Sequence, residues 1–368
     1  MDQLSFQAAV TGVAESTFTP QKKKPTRRSH RSASVAPQSP RTRFTRNKSH
    51  RDAKQPSLLL DGSEPETVSV MVTKHDIPFN PAEPIMGYRH PHGEIWLGDS
   101  AAWLRTLETE SVDLIFADPP YNIKKAEWDT FESQQAYVEW ALVWIEQAAR
   151  VLKPTGTLYI CGFSEILADL KLPASRFFAG CRWLVWHYKN KANLGSDWGR
   201  SHESILHFRK SKQFTSNIDD VRIPYGAHTL KYPVHPQALT SQYGKGQAQN
   251  HSWEPHPGGA KPKDVIEIPT TCNGMHEKTA HPTQKPEELL RKLVLTSSNA
   301  GDLVVDPFLG SGTTAVVAEQ LQRRWKGCDT SWEYCQWTIR RIELVENWPI
   351  EKWIEYDRQN AERRKSIR

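Results

Sequence analysis

Two short loops in this sequence combine acids, prolines and glycines in patterns suited to chemistry. Asp118-Pro119-Pro120-Tyr121 follows the apolar run at 111–117, SVDLIFA. The two prolines hold the loop extended and remove two N–H donors. The carbonyls of Asp118 and Pro119 and the Asp118 carboxylate then stand as acceptors beside the Tyr121 ring. Acceptors next to an aromatic face suit an exocyclic amino group on a planar base, with stacking on Tyr121 worth on the order of 1–3 kcal/mol. The bland alternative is a rigid strand-end turn. The second loop, DPFLGSGTT at 306–314, joins a strand to a helix, and Gly310 and Gly312 would let its backbone turn sharply and approach a ligand. No Gly-Lys-Ser/Thr follows, so it is not a phosphate-cradling P-loop. Asp329 ends the next strand, where an acid can accept from ribose hydroxyls. Together these features suggest a nucleoside ligand without a phosphate grip. S-adenosylmethionine fits that description. NAD competes, but after Gly310-Ser311-Gly312 the full GxGxxG is missing.

The elements that must position these loops read as alternating strands and helices. Candidate strands fall at 93–99, 112–117, 157–163, 182–189, 204–210, 303–306 and 324–329. Helical patterns cover SAAWLRTLE from an N-cap at Ser100, 134–152 up to Lys153-Pro154, SEILADLKL, 287–297, TTAVVAEQLQ, and about 331–348. Alternation of this kind predicts an α/β fold with a mostly parallel sheet of seven strands. In such sheets ligands bind beyond the carboxyl ends of strands, where both loops lie. Periodicity is lost from 211 to 280, and order begins near 86.

Composition narrows the function classes. No run approaches 18 apolar residues, so no membrane span is expected. Cys161, Cys181, Cys272, Cys328 and Cys335 are scattered without a CxxC, so neither a disulfide framework nor a metal site is expected, and a reducing cytoplasm is the simplest compartment. The formal net charge of +6 is uneven: residues 22–54 hold twelve Lys/Arg against Asp52 alone, and 187–263 hold eleven against five acids. An acidic body with two basic segments fits a polyanionic partner, although a solvated tail and a loop-rich region would give the same counts. The Ser-, Pro- and Arg-rich stretch at 22–54 reads as a disordered arm with salt-sensitive attraction to phosphates.

In combination these motifs resemble the amino-group DNA methyltransferases that use S-adenosylmethionine. Asp118-Pro119-Pro120-Tyr121 is similar to their catalytic motif, and 306–313 to their cofactor loop. His281-Pro282-Thr283-Gln284-Lys285-Pro286 resembles the segment that helps hold the methionine part, Asp329 falls at the ribose-binding acid, and Gly98-Asp99 resembles a motif near the adenine. The resemblance covers roughly 86–348. The catalytic motif precedes the cofactor loop, as in the family's β subgroup, where the motifs are circularly ordered and target recognition lies between them. It implies a Rossmann-like methyltransferase domain with catalytic residues Asp118, Pro119, Pro120 and Tyr121. The implied cofactor residues are Asp99, Thr283, Gln284, Lys285, Asp306, Phe308, Gly310, Ser311, Gly312, Thr313 and Asp329.

The resulting organisation is a basic arm at 1–85, a catalytic half at 86–210, a recognition region at 211–280 whose DNA-facing part starts near 187, a cofactor half at 281–350, and a charged tail at 351–368. Trp198, Tyr225, Tyr232, Tyr243 and Trp253 among the basic residues fit contact with double-stranded DNA. Zinc is not expected among the seven histidines of 187–263, where Cys272 stands alone nearby. The expected reaction is methylation of a flipped base. An Asp at the first motif position favours adenine N6 by analogy, and cytosine N4 is the alternative. A catalytically inactive DNA-binding protein is the reading from another class. A homodimer, a cognate restriction endonuclease and a nucleoid-associated location are further expectations.

Overall fold

The computed structural model describes residues 82–124, 129–190, 196–232, 235–236 and 252–366. In chain order the elements are β1 (Ile85–His90), β2 (Gly93–Leu97), α1 (Ser100–Thr106), β3 (Val112–Ala117), α2 (Gln134–Val151), β4 (Leu152–Gly162), α3 (Ser164–Ala174), β5 (Gly180–His187), β6 (His202–Arg209), α4 (Ala227–Lys231), a two-residue pair β7 (His235–Pro236) and β8 (Ser252–Trp253), β9 (Val265–Glu267), α5 (Glu287–Ser297), β10 (Leu303–Asp306), α6 (Thr313–Gln320), β11 (Arg324–Asp329), α7 (Trp332–Glu343) and α8 (Ile350–Ser366).

The strands form one sheet in the order β1-β2-β11-β10-β3-β4-β6-β5-β9, with β7 and β8 paired separately. The central run β2-β11-β10-β3-β4 is parallel, and β6 is antiparallel to both β4 and β5. The sheet is therefore α/β and mostly parallel, as expected, but it has nine strands among the described residues rather than seven. The two unforeseen strands lie at the edges. β1 is interrupted by Gly87 and carries a register shift there, and β9 is three residues long with two of them exposed. Neither can show a buried apolar run.

Strand β3 explains why the centre was legible. All six of its residues are buried. Leu114 and Phe116 join the core on one face, with α5, α6, α7 and α8. Ile115 and Ala117 join the other, with α1, α2 and α3. A strand covered on both faces must be apolar at every position. Pairing of Val304 with Leu114 and Val305 with Ile115 makes β3 and β10 neighbours although Asp118 and Asp306 are far apart in the chain.

Several boundaries differ from expectation by a few residues, among them the ends of β2, β5, β6 and α7, and three differences have a visible physical cause. Asp99, not Ser100, caps α1, accepting from the Ala102 N–H at 2.8 Å. Lys153 and Pro154 already belong to β4, and Lys153 pairs with Asp113 across the sheet. The segment from 351, read as a charged tail, forms α8. Its high charge hid two anchors, Trp353 and Asp357, both buried. Arg291 of α5 donates to Asp357 through two nitrogens at 2.8 and 2.7 Å and stacks over Trp353. Breaking a buried pair of this kind costs about 3–5 kcal/mol, because it strands a charge away from water. No helix among the described residues is long and apolar enough to cross a membrane. The basic stretch 22–54 lies outside the described residues.

Candidate active site

Four neighbouring parallel strands, β2, β11, β10 and β3, end at or one or two residues before an acid: Asp99, Asp329, Asp306 and Asp118. Their common edge opens into a cavity of about 380 Å³, lined by all four acids, by Pro119, Pro120, Tyr121, Phe116, Phe131 and Trp140, and by His281–Lys285 and the loop 306–314. That volume lies within the usual range of small-molecule sites, roughly 300–1,000 Å³.

The loop after β10 is held by its own acid. Asp306 accepts from the Phe308 N–H at 2.9 Å and from the Thr314 hydroxyl at 2.6 Å. Burial pushes its carboxyl up to about 7 against those two bonds. Gly310 and Gly312 have φ of +52° and +76°. Close approach at Gly312 serves packing rather than a ligand: a Cβ there would lie 2.3 Å from the Thr338 Oγ1 of α7. Asp329 accepts from the Gly310 N–H at 2.7 Å and the Ser331 N–H at 2.8 Å, and burial raises it to about 6. Phe308 packs on Trp144 and Trp140 beside the cavity. Ser311 and Thr313 are tied to α7 by Arg341, which donates to the Ser311 carbonyl at 2.7 Å and the Thr313 hydroxyl at 3.1 Å.

The loop after β3 is held from afar. The Tyr121 and Ile123 N–H groups donate to Asp129 at 2.6 and 3.3 Å, and Asn122 takes a left-handed φ of +56° while accepting from the Phe131 N–H. The Asp118 carboxylate accepts from the Tyr121 hydroxyl at 2.6 Å and from the Lys285 ammonium at 2.5 Å. Lys285, only 6% exposed, also lies 3.5 Å from Glu203 of β6. The Tyr121 hydroxyl reaches Glu203 at 3.1 Å, and the Cys161 thiol of β4 faces the same carboxylate at 3.6 Å. Two carboxylates thus share one ammonium in a buried pocket. Burial raises the Asp118 carboxyl above its usual range and neighbouring Glu203 adds to the rise, while Lys285 and Tyr121 oppose it. For Lys285 burial favours the neutral amine, but the two carboxylates outweigh it and hold the ammonium. The Tyr121 phenol and Cys161 thiol are pushed well up, first by burial and then by the surrounding acids.

The structure gathers every residue expected to be catalytic or to bind the cofactor, except Gly312, onto this cavity. The Lys285 ammonium lines the cavity and bonds the Asp118 carboxylate. Gln284 spends its amide on the preceding turn, accepting from Thr279 and donating to the Glu277 carbonyl. Thr283 lies against His281, its N–H 3.3 Å from the imidazole Nδ1. Asp99 divides its work between the α1 cap and the cavity wall. Sequence reasoning missed Glu203, Asp129 and Cys161, and it missed Phe163, which meets the Tyr121 ring edge-on at 5.0 Å. Glu203 sits 82 residues from Tyr121. No sequence signal marked it, since the expected strand began at Ser204, one residue later.

Beyond the mouth, Arg200 stacks on Phe163 at 3.8 Å and pairs with Glu165 at 2.6 Å. Two residues before it in the chain, Trp198 is 96% exposed. The basic count of 187–263 overstates the free charge, since Lys189, Arg200 and Arg222 are paired with Glu267, Glu165 and Asp219. Tyr243 lies outside the described residues.

Comparison with known proteins agrees with this arrangement. A family model described as DNA methylase matches residues 112–340. The chain is 33% identical over 259 residues to the DNA adenine methyltransferase YhdJ of Escherichia coli (strain K12), covering 69% of this chain and 84% of that protein. It is 34% identical over 261 residues to the type II methyltransferase M1.MboII of Moraxella bovis, covering 66% and 94%. Among solved structures, the PvuII DNA methyltransferase, cytosine-N4-specific, superimposes with a TM-score of 0.52 at 21% identity over 73% of this chain and 92% of that one, a likeness of fold. The chain belongs to the DNA methylase family of N6/N4 amino-methyltransferases.

Proposed function

We propose that this protein transfers a methyl group from S-adenosylmethionine to the N6 amino group of a flipped adenine in double-stranded DNA. The observation that carries the reading is one cavity lined by both the Asp118–Tyr121 loop and the 306–314 loop. The lining suits the cofactor. Its carboxylates at Asp99, Asp118 and Asp329, with the Lys285 charge already neutralised, disfavour a dinucleotide's phosphates and favour a cationic ligand. Phe308 and Leu309 offer apolar surface for a base, Asp329 a carboxylate for ribose hydroxyls, and Thr283, Ser311 and Thr313 polar groups for an amino acid. When bound, S-adenosylmethionine supplies an electrophilic methyl group on a sulfonium.

The protein's own groups then act on the nitrogen. A carboxylate has about four acceptor positions. Tyr121 and Lys285 occupy two on Asp118, so others remain for an amino N–H. The Pro119 carbonyl is a second acceptor. Bonds to both aim the nitrogen lone pair out of the ring plane, and holding the partners in line supplies further acceleration. As the nitrogen takes the methyl it becomes positive. The excess negative charge of Asp118 and Glu203 over Lys285 is already in place to stabilise that charge without reorganisation. Lys285 and Tyr121 keep Asp118 oriented. The exposed Trp198, two residues before Arg200 in the chain, supports a DNA-facing surface, with 211–280 as the recognition region.

Adenine is favoured over cytosine by Asp118 and by the adenine-specific name of a relative at 33% identity. Mass spectrometry of nucleosides from unmethylated DNA incubated with the protein and S-adenosylmethionine tests the reading. N6-methyladenine is expected. N4-methylcytosine would overturn the base assignment, and neither product from folded protein would overturn the activity.

A further inference from the structure

A second cluster lies at the opposite edge of the sheet from the cavity. The turn between β1 and β2 reads His90-Pro91-His92-Gly93, and it packs against Glu319 near the end of α6 and Trp325 at the start of β11. One ligand atom from each of His90, His92 and Glu319 lies within 4.8 Å of the others. The His92 Nδ1 is 2.7 Å from one Glu319 oxygen, and the His90 Nδ1 is 3.6 Å from the other.

The surroundings fix two of the three groups. The Trp325 indole N–H donates to Glu319 at 2.8 Å, and the same indole stacks on the His90 ring with centroids 5.7 Å apart. Gly93 permits this, since a Cβ there would sit 2.1 Å from the indole. The His90 Nδ1 lies 3.6 Å from a Glu319 oxygen and accepts only a long bond from the His92 backbone N–H at 3.3 Å, a contact that a stronger ligand could displace. Two imidazoles and one carboxylate thus converge on one point, the donor set that a cation would take. The third group, His92, has a side chain 61% exposed and is free to adjust.

We propose that His90, His92 and Glu319 bind a divalent transition-metal ion of the zinc class. Imidazole and carboxylate are the ligands such ions take, at about 2.0–2.2 Å. In the tetrahedral geometry such ions prefer, ligand atoms sharing one ion lie roughly 3.4 Å apart, so closing the site needs a shift of about 1 Å. The exposed His92 ring supplies that shift, and the Trp325 N–H orients the carboxylate in the way that outer groups position metal ligands. Water completes the coordination. The ion would clip the edge hairpin β1–β2 to α6, the helix that begins at Gly312.

The test is calorimetric titration of the chelator-stripped full-length chain with Zn²⁺, alongside thermal unfolding with and without the metal. Wild type is expected to bind one equivalent that His92→Gln and Glu319→Gln lose, and to gain several degrees in Tm that the variants do not gain. His256→Gln, at an exposed histidine elsewhere, is expected to match wild type. Because His92 is exposed, its substitution leaves the fold intact even if Glu319→Gln disturbs Trp325. Equal stoichiometry and equal Tm shifts in wild type and His92→Gln would overturn the proposal, as would no binding by wild type.

Discussion

Asp306 and Asp118 stand at the ends of neighbouring parallel strands, each followed by proline, each lining the same cavity, each with a carboxyl pushed above its usual range by burial. They differ in where their oxygens go. Asp306 bonds only within its own loop, to Phe308 and Thr314. Asp118 bonds Tyr121 nearby and Lys285 from a segment 167 residues away, and Glu203 of β6 stands behind both. The first carboxylate builds a loop. The second is held by Tyr121 of its own loop and by Lys285 from a distant segment, and Glu203 binds both of those groups. Sequence, burial and titration do not separate the two acids; the origin of their partners does.

The largest effect that would sharpen this contrast is expected from Lys285→Met. It leaves two buried carboxylates without their cation, costing about 3–5 kcal/mol of stability. Adding Glu203→Gln should recover part of that loss, and denaturant unfolding of both variants checks it. Tyr121→Phe keeps the ring and deletes the hydroxyl. A hydrogen bond to a charged group is worth about 1.5–3 kcal/mol, so single-turnover methylation should slow roughly 10- to 100-fold. A rate unchanged from wild type would mean the hydroxyl does not orient Asp118. Trp198→Ala should leave Tm unchanged and weaken DNA binding roughly tenfold if the ring stacks on bases. Unchanged DNA affinity would remove Trp198 from the interface.

A further effect concerns pH. The Asp306 carboxyl is raised to about 7 in the folded protein, so the fold prefers it neutral. Its contribution to stability is full below the unfolded value of about 4 and is lost as pH rises toward 7, because only the unfolded chain gains from ionising there. Asp329, raised to about 6, acts with the same sign. Asp306→Asn should therefore flatten the fall of Tm between pH 5 and 7 relative to wild type. Parallel Tm curves would show that Asp306 is not a buried neutral acid.

The parts of the molecule that could be read from its sequence share a physical property. Strands β3, β10 and β11 and helix α5 have their expected bounds, because burial on both faces or on a regular helical stripe dictates residue type at every position. The loops at 118–121 and 306–314 were readable because proline and glycine constrain backbone locally. Edge strands β1 and β9 escaped because half their residues need not be apolar, and α8 because it docks through one tryptophan and one ion pair on a charged surface. The partners of Asp118 escaped for a different reason. Nothing in HESILHFR marks Glu203 as reaching Tyr121, since that proximity arises only when β6 pairs with β4. Lys285 lay in a recognised segment, yet its partner depended on the same closure.

Asp118→Asn and Asp306→Asn, compared side by side for S-adenosylmethionine affinity and for single-turnover methyl transfer to an oligonucleotide, test the contrast most directly. The account predicts that Asp118→Asn binds the cofactor within severalfold of wild type while transfer slows by about 10³ or more, the scale of losing a preorganised charge at the reacting atom. Asp306→Asn should keep both properties within about tenfold, or 1.4 kcal/mol. Near-normal transfer by Asp118→Asn, or equal losses in the two variants, would contradict the assignment of Asp118 as the acceptor that acts on the amino group.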